Sequence, residues 1–222
     1  MCFSAESSFS AAALLTVIGY ATISDTKNKK EYLLAAIPLL FAIQQFSEGV
    51  LWVCLMNDMA ESVIASIAKW IYIFFAFVNW PIWLPLSLYF IETQRLRKVM
   101  LLITLAMGTA FVVWNFSLFV DEPVTVGIVD NSIQYSAYET STPAVFWILR
   151  ALYVSSIIIP CFVSSYRYIW SFGLIVALSF VAAEYFYHAT FTSVWCLFAA
   201  VASAAIFVVL RLNRQEPTSR FL

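Results

Sequence analysis

Residues 169–210 read IWSFGLIVALSFVAAEYFYHATFTSVWCLFAAVASAAIFVVL. One bilayer crossing takes about 20 apolar residues. This run is far too long for one crossing and suits two, so it predicts spans over about 169–188 and 191–211, with a tight turn near His188. Inside it sit the single histidine of the chain and, four residues earlier, Glu184. Side chains at that spacing share one face of a helix. Hydrocarbon penalises both, so the pair marks a functional site by default.

Working outward, the same pattern recurs. Further spans are expected near 7–24, 32–56, 63–90, 99–120 and 144–162, which makes seven. The chain has 222 residues, 63% hydrophobic and 11% charged, with a mean hydropathy of +0.87. Soluble domains run nearer one quarter charged, and a soluble fold of this length cannot hide so much apolar surface. An aromatic content of 18% suits interfacial belts. A net charge of −1 gives no basic footprint for nucleic acid. The four cysteines show no CxxC pair. The acidic, serine-rich start (Ser4, Glu6, Ser7, Ser8) lacks the basic region of a cleavable signal, so the first span is read as retained.

Charge sets the expected orientation. Lys27, Lys29, Lys30, Arg95, Arg97, Lys98, Arg167, Arg211, Arg214 and Arg220 all fall in alternate loops or the tail, and are ten of the twelve basic residues. The remaining loops hold Asp58, Glu61, Asp121, Glu122, Asp130 and Glu139 and no Lys or Arg. The positive-inside rule then places the N-terminus outside and the C-terminus in the cytoplasm. The fold expected is an all-α integral membrane bundle of seven helices forming one domain over 1–222, with a long outer loop over 121–143. Within that loop Val124–Val129 and Ser132–Tyr135 flank Asp130-Asn131, the pattern of a short β-hairpin, with an irregular acidic loop as the equal alternative. Pro81 and Pro85 should kink the third span and free backbone carbonyls.

At a rise of about 1.5 Å per residue, Glu48 lies roughly 12 Å below the outer surface, and Lys69, Asn115, Arg150 and Cys196 roughly 8–9 Å below it. Glu184, His188, Cys2 and Glu6 join the same layer, with Asn79 deeper. Helical periodicity groups Gln44, Glu48 and Trp52, with Gln45 beside them. It also groups Lys69, Tyr72, Ala76, Asn79 and Trp83, and then Thr104, Gly108, Phe111 and Asn115. Such stripes should face the bundle, which predicts a pocket open to the outside.

Three chemistries fit this layer. Cys2, Glu48, Glu184, His188 and Cys196 offer mixed ligands for zinc or another divalent ion. With Met1 removed, Cys2 would carry a free amine beside its thiol, the arrangement of an N-terminal nucleophile. Glu48 or Glu184 can act as a general base, with Lys69 or Arg150 holding an anion. The catalytic candidates are therefore Glu48, Glu184, His188 and Cys2. The substrate-binding candidates are Gln44, Gln45, Lys69, Asn79, Asn115, Arg150 and Trp195. The opposing reading is a structural ion-pair network that holds the helices in register. The expected function is a membrane hydrolase acting on an amphiphilic or small extracytoplasmic substrate. The alternative is a non-enzymatic transporter, receptor or metal-handling protein. Expected partners are the lipid bilayer, as in a bacterial inner (plasma) membrane, and a small or lipid-like ligand from the outer side.

The start Met1-Cys2-Phe3-Ser4-Ala5, the run Gln44-Gln45-Phe46-Ser47-Glu48-Gly49 with Trp52, and His188-Ala-Thr-Phe-Thr-Ser193-Val-Trp195-Cys196 resemble an uncharacterised bacterial family of small polytopic membrane proteins that begin Met-Cys-Phe/Trp-Ser. The resemblance spans most of the chain. It implies an integral membrane protein and carries no activity. The many-histidine zinc pattern of ceramidase-like membrane hydrolases is not met, because this chain has one histidine.

Overall fold

The computed structural model describes residues 4–121, 124–136 and 142–215. Among them, seven helices are long and apolar enough to cross a membrane. They are α1 (Ala5–Asp25), α2 (Lys29–Met56), α3 (Val63–Ile91), α4 (Arg95–Asp121), α5 (Pro143–Val163), α6 (Ile169–Phe186) and α7 (His188–Arg214). The seven expected spans are all present, their ends shifted by a few residues. Between α4 and α5 stand β1 (Thr125–Val129) and β2 (Ser132–Ser136), antiparallel, with Val129 opposite Ser132 and Thr125 opposite Ser136. Asp130 and Asn131 both have positive φ, 47° and 59°. Two left-handed residues make the type I′ turn whose twist matches a hairpin.

Four of the helices, α1, α2, α3 and α5, begin at a side-chain cap, supplied by Ser4, Asn28, Ser62 and Thr142. Ser4 and Ser7 form a reciprocal capping box at α1, and Ser62 accepts from the Ala65 N–H at 3.1 Å to start α3. Leu14, Val17, Phe46, Ile64, Val113, Leu178 and Val201 remain exposed around the outside of the bundle. An apolar exterior of this kind needs hydrocarbon around it.

The proline kink of α3 takes a definite form. Phe75–Asn79 is a π turn, in which the Trp80 N–H reaches the Phe75 carbonyl. The next carbonyl, that of Ala76, would bond the N–H of residue 81, but Pro81 has none. The Tyr153 hydroxyl of α5 donates to it instead at 2.8 Å. Pro85 leaves the Pro81 carbonyl without its helical donor in the same way. Gly108 of α4 packs there so closely that a Cβ would meet the Pro81 oxygen at 2.1 Å.

At the end of the bundle away from the hairpin, polar groups tie loops together. Glu92 accepts from the Thr93 and Gln94 N–H groups (2.8 and 3.0 Å) and from the Ser165 N–H and hydroxyl (2.6 and 2.7 Å). Partial burial works to raise the Glu92 pKa, but these hydrogen bonds outweigh it and hold the carboxyl below its ordinary value. Arg214 pairs with Asp25 at 2.9 Å and donates to the Thr26 hydroxyl at 3.1 Å, joining α7 to the end of α1.

The Gly108 contact gives a direct test. Gly108→Ala forces α3 and α4 apart and should lower stability by about 1–3 kcal/mol, as overpacking does. Thermal unfolding in detergent, followed by tryptophan fluorescence, should show a lower midpoint. An unchanged midpoint would contradict the close approach.

Candidate functional site

The hairpin end of the bundle gathers most of the polar side chains expected there, but in separate groups rather than one. The first lies in the core. Gln44, Gln45, Glu48 and Trp52 of α2 are all buried, Glu48 to 1% exposure. The Ser193 hydroxyl of α7 donates to Glu48 Oε1 at 2.6 Å. Trp80 Nε1 donates to Gln44 Oε1 at 2.7 Å. Gln45 and Tyr72 stand beside the Glu48 carboxylate, yet neither polar atom of Gln45 closes a hydrogen bond of good geometry. Tyr72 donates to the Thr192 carbonyl at 3.2 Å and stacks flat on Tyr135 of the hairpin, ring centroids 4.5 Å apart. Burial first, then the Glu48 carboxylate, push the Tyr135 phenol well above its ordinary pKa.

The second group is a chain of charges. Arg150 of α5 is ion-paired with Glu184 Oε2 of α6. Glu184 Oε1 lies 2.8 Å from His188 Nδ1. The Arg150 guanidinium also rests on the face of Phe191, 3.8 Å from the ring centroid, with Phe146 and Phe180 at 5.3 and 5.7 Å. A guanidinium stacks on aromatic faces where an ammonium would demand water. The imidazole of His188 is 67% exposed.

Between the two groups, beneath the hairpin, lies a cavity of about 410 Å³. Its walls are mostly aromatic, including Phe77, Phe111, Tyr153, Phe191 and Trp195. Its polar lining comes from Gln134, Tyr135 and Ser136 of β2 together with Arg150, His188, Thr192 and Cys196. No Asp or Glu belongs to this lining among the described residues.

Several expectations need correction. His188 does not end α6. That helix stops at Phe186, Tyr187 leaves helical geometry (φ −135°, ψ 40°), and His188 opens the short 3₁₀ turn that leads into α7. The metal-ligand set is divided: Glu48 and Cys196 lie in the core group, while Glu184 and His188 lie with Arg150, whose positive charge opposes a cation. No three of His, Cys, Asp and Glu come together among the described residues. Cys2 lies outside them. Lys69 turns away from the cavity and donates to the Val124 carbonyl at 3.2 Å, fastening the base of the hairpin. Asn79 sits in the π turn and Asn115 is buried on α4; neither lines the cavity. Trp195 does line it, with its indole N–H on the Val176 carbonyl at 3.2 Å.

Ser193, Tyr72, Tyr135 and Tyr153 were not singled out as site residues. A hydroxyl in an apolar span is ordinary in sequence, and only the pairing of Ser193 with Glu48 gives it a role. For Tyr135 the signal was present, since alternation in Ser132–Ser136 puts Ile133 and Tyr135 on one face.

Membrane-length apolar helices with exposed apolar flanks define a polytopic integral membrane protein. The chain belongs to the Family of unknown function (DUF6629), whose model matches residues 1–220. Comparison with curated proteins gives no match, and comparison with solved structures gives none.

The charge chain makes unequal demands on its members. Glu184→Ala strands the Arg150 guanidinium among phenyl rings and should cost up to about 3–5 kcal/mol. His188→Ala removes an exposed partner and should stay within about 0.5 kcal/mol. Replacing Glu184 and Arg150 together by Gln should recover much of the first loss. Unfolding midpoints of the three variants in one detergent check this, and a larger loss from His188→Ala than from Glu184→Ala would refute it.

Proposed function

We propose that this protein binds a small amphiphilic ligand with an anionic head in the cavity beneath the hairpin, taken from the outer side of a bacterial inner (plasma) membrane. The N-terminus and hairpin lie outside and the C-terminus lies in the cytoplasm. Support for the orientation is that ten of the twelve Lys and Arg residues fall, in sequence, in alternate loops and the tail. The reading of the site rests on one observation: a cavity of about 410 Å³ walled by aromatic rings, whose lining includes Arg150 and, among the described residues, no Asp or Glu. Pockets for small ligands combine an apolar wall with few polar groups in this way.

A binding protein is favoured over the hydrolase. Glu48 is sealed behind the cavity wall and Glu184 is held by Arg150, so neither is placed as a base for a reaction in the cavity. The hydrolase reading keeps one point in its favour, since the Cys196 thiol and His188 both belong to the lining.

Orientation is tested at Gly127, where a Cβ would meet nothing within 4 Å. Gly127→Cys should react with a membrane-impermeant maleimide in intact cells, above the background of the unsubstituted protein. Reaction only after the cells are opened would reverse the orientation. Ligand class is tested with dodecanoate, dodecanol and dodecyltrimethylammonium added to protein in nanodiscs, with tryptophan fluorescence as the signal. Dodecanoate should give the tightest saturable response, weakened at least about tenfold in the Arg150→Gln, Glu184→Gln double variant, as expected for loss of a charge-assisted hydrogen bond. Equal responses to all three probes, or none, would refute an anion-selective site.

A further inference from the structure

Glu48 presents a problem that the cavity reading does not solve. Its carboxylate is 1% exposed, and no Lys, Arg or His forms an ion pair with it among the described residues. The two basic residues within spans at this end are committed elsewhere, Lys69 to the Val124 carbonyl and Arg150 to Glu184. A lone carboxylate is among the most expensive groups to enclose in an apolar interior. Around it lie further polar atoms without partners. Gln45 is fully buried, and both ends of its amide are unsatisfied. The Tyr135 hydroxyl is buried and unsatisfied as well. Native interiors leave few such groups, and a gathering of them calls for an occupant.

The chemistry of the row selects the occupant. Its acceptor atoms are oxygens, the Glu48 carboxylate, Gln45 Oε1 and the hydroxyls of Ser193, Tyr72 and Tyr135, while the amide nitrogens of Gln44 and Gln45 are hydrogen-bond donors that serve the carboxylate or water and not a cation. Oxygen donors suit hard cations. A single carboxylate balances a single positive charge. A divalent ion would leave an uncompensated charge in the core at the same cost that the carboxylate alone incurs. We propose that the buried row around Glu48 binds a monovalent alkali cation, with water completing its shell. Tyr135 and Cys196 flank this row and also line the cavity, so the row and the cavity share a wall. This inference does not depend on the identity of the ligand in the cavity.

The test uses the full chain in detergent or nanodiscs, unfolded thermally in NaCl, KCl or choline chloride at matched ionic strength. A bound cation should raise the midpoint saturably in NaCl or KCl relative to choline chloride, by about 5 °C once the ion is well above its dissociation constant. A response to either alkali salt supports the site and assigns the ion. Glu48→Gln should abolish the difference between salts, and Tyr135→Phe and Gln45→Leu should reduce it. Glu184→Gln, in the other polar group, should leave it intact. Should Glu48→Gln fail to fold, direct binding of ²²Na⁺ to the wild-type protein, displaced by unlabelled sodium or potassium and weakened in Tyr135→Phe, gives the same answer. Equal midpoints in all three salts would mean that water alone fills the row and would overturn the proposal. An undiminished salt response in Glu48→Gln would overturn it too.

Discussion

Tyr153 donates its hydroxyl to the Ala76 carbonyl because Pro81 has removed the N–H that would otherwise bond there. That contact states the constraint under which the whole bundle is built. Hydrocarbon offers no hydrogen-bond partner, so each backbone or side-chain group released by the sequence must be answered from inside the protein. The prolines of α3 release carbonyls. Tyr153 of α5 answers one, and the close approach of Gly108 covers another. Three helices are thereby fixed against one another at mid-depth. The aromatic rings of Phe77, Phe111 and Tyr153, with centroids 4.9–6.4 Å apart, form the cavity wall on this frame.

The same constraint sorts the charged residues. Arg150 is tolerated because Glu184 neutralises it and three phenyl rings surround it. Lys69 is tolerated because a backbone carbonyl in the loop before β1 is within its reach. Both therefore do structural work, and Lys69 does so at the point where the hairpin is anchored. The reading of this layer as a register-holding network describes Lys69 well and accounts for the Arg150–Glu184 pair, although Arg150 also lines the cavity. It does not describe Glu48, whose neighbours are amides and hydroxyls.

Sequence reading reached further for the fold than for the site, and particular residues show why. Span number follows from length and apolarity, which each helix carries locally. The hairpin follows from Asp130-Asn131, two residues that tolerate left-handed backbone between β-prone runs. For α3, two prolines promised a kink, but the π turn over Phe75–Asn79 depends on how Tyr153 and Gly108 meet it from other helices. Depth counting placed Glu48 and Glu184 in one layer. It could not place them around the bundle axis, and they belong to different groups. One residue of phase at Tyr187 likewise moved His188 out of α6, although its imidazole still reaches Glu184.

The abrupt break at Tyr187 also bears on how the protein is made. Only one non-helical residue separates α6 from the turn that opens α7. Spans joined so tightly are expected to enter a bilayer together, as one helical hairpin. Arg150 is synthesised before that hairpin, on a span whose counter-charge does not yet exist. Until Glu184 emerges from the ribosome, α5 carries an uncompensated guanidinium, which favours holding it at the insertion machinery or at the lipid interface. Phe191 and Trp195 of α7 also line the cavity, so its wall is complete only once the last helix is in place.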